Sequence, residues 1–255
     1  MNFGRKVKLL NIWNHLLAGL AIVLVIQGIV PASWLYVSLV GYLVFGLMGA
    51  NVGLHRYLSH RSFKTSRFWD SILKWLTIPV GFGSPISWCA LHRHHHVHSD
   101  TSLDIQDPKR IGAFKSWTTQ YPPVTINIRL VSDLLRDPQI KFIHQNYFKI
   151  LLVLHVGIFL VHPLLPLFAL SIPAVGCFHG VSAIGVIPHL PWSGYRTHNS
   201  ADDSRNSPLA SLLSLGEGWH NNHHAFPSRY FHGEKWWEVD PSRWIIEVIR
   251  RRDAI

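Results

Sequence analysis

Two long stretches of this chain carry no formal charge. No Lys, Arg, Asp or Glu stands between Lys8 and Arg56, nor between Lys149 and Arg196. A helix crosses the hydrocarbon core of a bilayer with about 20 apolar residues, so each stretch has room for two crossings. Each also breaks in its middle, near Gly28 to Pro31 in the first and near Pro163 to Pro173 in the second. Proline lacks the N–H that a helix interior needs, and its ring clashes with the preceding turn, so these positions predict turns. The pattern predicts an all-α integral membrane protein with four transmembrane helices in two hairpins, at about 9–54 and about 150–195. The remaining segments, about 55–149 and about 196–255, are predicted to form a helical cytosolic cap, the whole of 1–255 making one domain. Phe68 to Leu91 is apolar but interrupted by Asp70, Lys74 and "VGFGSP". It is expected to lie in the interface or dip partway in, as amphipathic helices do. The start "MNFGRKVK" precedes a long apolar run without a small-residue cleavage site, so it reads as a retained anchor.

Charge orients this arrangement. The net charge is +10, and every Lys and Arg lies in the first residues, the middle segment or the last segment, never in the two turns. Cationic loops stay on the cytoplasmic side, so both termini and the cap are expected there. The same cations attract anionic lipid headgroups. No nucleic-acid module accompanies the charge, which removes that class of partner. Cys89 and Cys177 sit in apolar surroundings without a CxxC pattern and read as free buried thiols.

The chain has 18 histidines, and their spacing changes the picture most. His15, His155, His162 and His179 fall within or at the ends of spans and read as packed polar or turn residues. His94, His98, His144, His198 and His232 read as solvated, or as supports for other groups. Eight of the other nine form three clusters: "LHRYLSHRSF" with His55 and His60, "LHRHHHVHSD" with His92, His95 and His96, and "GEGWHNNHHAFP" with His220, His223 and His224. Residues at i, i+3 and i+4 share a helix face, so each HxxHH is expected to aim three imidazoles at a common point. His55 and His60 are five apart and do not share a face of a straight α-helix. They fit a helix end, with His60 in the turn beyond. All eight meet at the cytoplasmic boundary of the predicted bundle. Neutral imidazole is the commonest protein metal ligand, and eight exceed the needs of one ion, so two ions are expected. Imidazole suits Zn, Cu, Fe and Ni alike. A hydrolytic zinc site uses three protein ligands and an open position, so redox chemistry on lipid fits this number better. A zinc membrane hydrolase and a non-catalytic membrane scaffold stand as rival readings.

The stretches "GLHRYLSHRSFKT", "WCALHRHHHVHSDTSLD" and "DDSRNSPLASLLSLGEGWHNNHHAFP" together resemble the HxxxxH, HxxHH and HxxHH boxes of the membrane-bound fatty acyl desaturases, in particular the stearoyl-CoA desaturase-like (delta-9) branch. The resemblance runs from about Val52 to Trp244. It implies two iron ions (Fe2+/Fe3+) and O2- and electron-dependent insertion of a cis double bond into a saturated acyl chain carried by CoA or lipid. It adds a ninth ligand, His189 in "GVIPHLPWSGYR", to the eight box histidines. It also implies a separate electron donor of ferredoxin or haem type. Metal-bound imidazoles pass their second N–H to an acceptor, and Asp100, Asp104, Glu217, Asn221 and Asn222 are the candidates. Trp88 and Trp219 are candidate walls for the acyl chain, and Arg93, Arg205 and Asn206 candidate headgroup or CoA contacts. A related di-iron lipid hydroxylase or ketolase is the nearest alternative. Two positions depart from the family: Gly185 stands where an Asn usually holds a metal-bound water, and "DIQDP", Asp104 to Pro108, replaces an aspartate–proline–histidine stretch.

Overall fold

A computed structural model of the chain describes residues 3–252. Positions 1–2 and 253–255, where the single-domain expectation starts and stops, lie outside the described residues. In chain order, α1 (Phe3–Ile26) and α2 (Trp34–Ser59) form a first hairpin, followed by α3 (Arg67–Leu76), α4 (Pro85–His98), α5 (Pro108–Ile111) and α6 (Ala113–Trp117). A second hairpin, α7 (Pro138–Val161) and α8 (Pro166–His189), is followed by α9 (Pro208–Leu213), α10 (His220–Ala225) and α11 (Pro241–Ile249). Among the described residues only isolated β-bridges interrupt this all-helical pattern. Among the described residues, α1, α2, α7 and α8 are the four helices long and apolar enough to cross a membrane.

The two hairpins are not equivalent in depth. Only 17% of the most apolar part of α1 and of α7 is buried, against 44% in α2 and 61% in α8. α2 and α8 therefore form the interior of the bundle, and α1 and α7 flank it with exposed Ile12, Leu16, Val153 and Leu160. The spans also differ from the charge-free intervals. α7 starts at Pro138 and carries Lys141 and Lys149 along its first turns. Absence of charge marks the lipid-compatible part of a helix, whereas the helix itself continues to its cap. The second turn is narrower than expected, confined to His162–Leu165. Pro166 opens α8, which is π-wound over Pro166–Ser171 and turns α from Ile172. Pro173 thus falls inside α8, just past the change from π to α winding, and not in the turn. Its ring packs on Gly41, where an added Cβ would lie 2.6 Å from Pro173 Cγ.

Five helices begin with the same local device. Ser84, Asp107, Asp137, Ser207 and Asp240 each accept a backbone N–H from the first turn, and each precedes a proline. Such a cap contributes about 1 kcal/mol, and proline at the first position has no N–H to leave unpaired. Asp107 therefore has a structural task, which accounts for the second half of "DIQDP".

The segment after α2 behaves as an amphipathic element. α3, ten residues long, buries Leu73 and exposes Phe68 and Trp75. The turn that follows dips into the bundle, where Phe82 stacks on Phe178 with ring centroids 5.7 Å apart. The Ser207–Leu215 segment also departs from a purely peripheral cap. Tyr42 Oη of α2 donates to Leu213 O at 2.8 Å, and Asn51 Nδ2 donates to Ser214 O at 2.9 Å. These polar side chains satisfy the carbonyls that α9 leaves free at its end. Cys89 and Cys177 are free and buried, and burial pushes the Cys89 thiol up to about 12.

Candidate metal centre

The first cluster owes its geometry to an unusual winding. From Val44 to Ser59 α2 is π-wound, and His60 N donates to His55 O at 3.1 Å. An i→i+5 ladder stacks residues five apart, as an α-helix stacks residues three or four apart. The His55 and His60 rings consequently lie 4.9 Å apart on one side of the chain. α4 presents the second cluster and α10 the third. The short α10 is positioned by two glycines: Gly216 adopts φ +103°, and a Cβ on Gly218 would sit 2.0 Å from Ser211 N. Only glycine meets both demands without strain.

Each HxxHH box serves two points, not one. His55, His60, His92, His96 and His223 bring ring nitrogens within 4.8 Å of one another, and so, separately, do His95, His189, His220 and His224. In both boxes i and i+4 join one group and i+3 the other. The cause is angular: at about 100° per residue, i+4 lies about 40° to one side of i and i+3 about 60° to the other. The groups are adjacent, with His96 and His224 rings 4.4 Å apart.

The nitrogen spacings suit a shared cation. Two imidazole nitrogens about 2.1 Å from one ion and at right angles lie about 3.0 Å apart. His55 Nε2 to His223 Nε2 is 3.1 Å, His223 Nε2 to His96 Nε2 is 3.0 Å, and His60 Nε2 to His92 Nε2 is 2.7 Å. His223 Nε2 holds either one hydrogen or one lone pair, so ordinary hydrogen bonds cannot satisfy both of its contacts. In addition, His189 Nε2, His224 Nε2 and both ring nitrogens of His220 are buried without a hydrogen-bond partner. Buried polar atoms are normally paired, so this concentration of lone nitrogens fits a metal.

Carboxylates fix the orientation of three imidazoles. His55 Nδ1 donates to Glu217 Oε2 at 2.6 Å, His95 Nδ1 donates to Asp104 Oδ2 at 2.9 Å, and His224 Nδ1 donates to Asp202. Glu217 is itself held by Arg56 Nη2 at 2.7 Å, and Arg56 reaches Asp240 at 2.8 Å. All three members of this ion network are buried. Burial alone would raise the Glu217 pKa, but the Arg56 charge holds it well below the usual carboxylate range. The His95 hydrogen bond similarly lowers Asp104 against its burial, and the His224 bond lowers Asp202. Burial, followed by the neighbouring imidazoles, pushes His60, His92, His96, His220 and His223 well below the ordinary histidine value. These rings are neutral at pH 7, the form that offers a lone pair.

Other expected supports lie elsewhere. Asp100 accepts from Lys109 Nζ at 3.3 Å and from Asp203 N, away from the imidazoles. Asn221 accepts from Thr197 N and His198 N, and Asn222 donates to Glu238 at 2.9 Å, so both tie loops around α10. The sequence reading missed Asp202, Arg56 and Asp240. The signal available was an arginine inside "GLHRYL", since a cation so close to an apolar run must find carboxylates when buried. His232 is not solvated: it is buried, its ring 4.4 Å from that of His223 and Nδ1 3.2 Å from Glu217 Oε2.

A cavity of about 720 Å³ borders both groups, touching His55 and His92 of one and His95 and His220 of the other. Trp88 lines it and stacks on His92 at 4.8 Å. Gly185 lines it too, and an added Cβ there would meet nothing within 4 Å. The other candidate substrate residues face protein. Trp219 is buried and donates to Val239 O, Arg93 binds Asp133 and the carbonyls of Leu58, Ser59 and Leu130, Arg205 reaches Gly194 O, and buried Asn206 holds Asn222.

Four membrane-length helices, capped by two polyhistidine groups on a shared cavity, define a membrane protein with a candidate metal centre at one end of its bundle. Residues 29–238 match the fatty acid desaturase family. The chain is 34% identical over 226 residues to an sn-1 stearoyl-lipid 9-desaturase of Anabaena variabilis, covering 84% of this chain and 79% of that protein. It is 32% identical over 224 residues to delta-9 acyl-lipid desaturase 2 of Arabidopsis thaliana, covering 84% and 71%. An acyl-CoA 5-desaturase of Anemone leveillei is 28% identical over 266 residues, covering 96% and 80%. The chain belongs to the fatty acid desaturase family and is an oxidoreductase.

Proposed function

We propose that this chain inserts a cis double bond, of delta-9 type, into a saturated acyl chain held in the cavity beside the two histidine groups. The observation that carries the reading is the set of nine histidines in two adjacent groups of five and four, each group reaching one shared cavity. In this reading His55, His60, His92, His96 and His223 hold one iron, and His95, His189, His220 and His224 hold the other. Two such irons supply the reduction of O2 and the removal of hydrogen from unactivated methylenes. The overall balance is one O2, two electrons, two protons and one –CH2–CH2– unit giving one –CH=CH– unit and two waters.

The chain's own residues position and protect. Glu217, Asp104 and Asp202 take the Nδ1 hydrogens and turn the opposite nitrogens inward, which typically matters about 10–100-fold in metal affinity. The stack of Trp88 on His92 limits the ring's rotation and gives the acyl chain an apolar wall. Burial of His55, His95, His189, His220 and His223 limits water near the reacting carbons. In this reading electrons come from a separate ferredoxin- or haem-type protein, and the basic segments favour a cytoplasmic cap, termini and site. The relatives' names include both lipid and CoA carriers, and the delta-9 reading follows the two lipid desaturases.

Fatty acid profiling in a desaturase-deficient host tests the reading. New monounsaturated chains are expected with the intact protein and none with His223→Ala. Hydroxylated or keto products from the intact protein would instead assign a related oxygenase. Unchanged lipids with an iron-loaded, well-expressed protein and a supplied donor would overturn the reading.

A further inference from the structure

We propose that the face carrying Lys235, Trp236 and Trp237 is the docking surface for an acidic one-electron carrier protein. The inference rests on the desaturase reading, which needs electrons from outside the chain. Trp236 is 90% exposed, the highest value for any large apolar side chain among the described residues. Trp237 lies against it, with ring centroids 5.5 Å apart. Neither belongs to a membrane-length helix, unlike exposed Ile26 or Leu160.

Among the described residues the face keeps one cation outside an ion pair, Lys235, because Arg229 is paired with Glu234. Lys235 Nζ lies 4.3 Å over the Tyr195 ring and 5.3 Å from the Trp237 ring centre, and the Arg229 guanidinium lies 3.6 Å over Phe226. Cation–π contacts hold these charges beside the aromatic surface. Glu234, the neighbouring acid, is engaged by Arg229 at 2.7 Å and His198 at 2.8 Å. The surface left over attracts carboxylates, and such complementarity steers a partner and sets its orientation.

A bonded route leads inward from Trp237. Trp237 Nε1 donates to Tyr195 Oη at 3.3 Å, Tyr195 Oη donates to Glu238 Oε1 at 2.5 Å, and Glu238 Oε2 accepts from Asn222 Nδ2 at 2.9 Å. Asn222 adjoins His223 in the chain. A membrane anchor needs no such connection. Each docking oxidises the carrier by one electron and reduces the histidine-held centre by one, so two dockings complete the balance given above.

The test uses the iron-loaded full chain in nanodiscs with two probes, an acidic two-iron ferredoxin and an acidic small haem protein. At least one is expected to bind, more weakly as salt rises, and Lys235→Glu or Trp236→Ser is expected to weaken it about tenfold or more. A spin label on Trp236→Cys, selective because Cys89 and Cys177 are buried, should meet a water-soluble nickel chelate and lose that access when the carrier is added. Binding of neither probe, variant affinities within twofold of the starting chain, or a label shielded in lipid would each overturn the docking face. Dithionite-driven turnover of the unaltered chain separates the two readings. No product there removes the desaturase reading, while the affinities still decide the docking face.

Discussion

The two histidine groups share a cavity and nearly the same box geometry, yet they are supported differently. The five-histidine group leans on Glu217, which shares its carboxylate between His55 and fully buried Arg56, itself tied to Asp240. The four-histidine group has separate props, Asp104 under His95 and Asp202 under His224, and borders open space at Gly185. The first group is thereby part of the fold's buried electrostatics, whereas the second is trimmed for its site. Perturbing the first should damage stability and metal binding together, and perturbing the second should damage metal binding alone.

The largest expected effect follows from Arg56→Met. It leaves Glu217 and Asp240 buried without their cation, a loss of about 3–5 kcal/mol. Thermal unfolding in detergent should register a large drop, and an unchanged midpoint would break the comparison. Next comes Asp202→Asn, expected to lower metal affinity about 10–100-fold with the unfolding midpoint of the metal-free chain little changed. Competition against a chelator measures it, and equal affinity would mean that His224 needs no acceptor.

Acid should act on both groups. His60, His92, His96, His220 and His223 have folded-state values below the ordinary one, so the unfolded chain binds more protons over the interval between the two. Their contribution to stability is complete above about pH 6.5 and is lost as pH falls toward the depressed values. The metal-free chain should therefore melt lower at pH 5.5 than at pH 7.5, and the opposite order would contradict the burial of neutral rings. The smallest effect is that of Gly185→Ala. With open space around the new methyl group, replacing a helical glycine should stabilise by about 0.5–1 kcal/mol. The same change at Gly218 meets Ser211 N and should destabilise, so the pair of melting points separates a glycine needed for approach from one that leaves room.

Much of this molecule was legible in its residues. The absence of charge from Lys8 to Arg56 and from Lys149 to Arg196 announced two hairpins, and the repeated HxxHH announced convergent imidazoles. Helix ends were less legible, because α7 runs back to its Asp137 cap past two lysines. The division of the nine histidines into five and four was not legible either. It depends on the π-winding of Val44–Ser59 and on which flank of each box faces which group. Asp202 escaped notice because its link to His224 spans 22 positions and follows no local period. Asp100, closer to a box, looked better placed and turns out to bind Lys109.

Nine histidines are expected to make two metal positions with separable support. Iron-to-protein ratios by plasma mass spectrometry, for the intact chain and for a His220→Ala/His224→Ala variant loaded with ferrous iron, test this most directly. Two irons per chain are expected to fall to one. A ratio of one in the intact chain, or loss of both irons in a variant that remains folded, would contradict it.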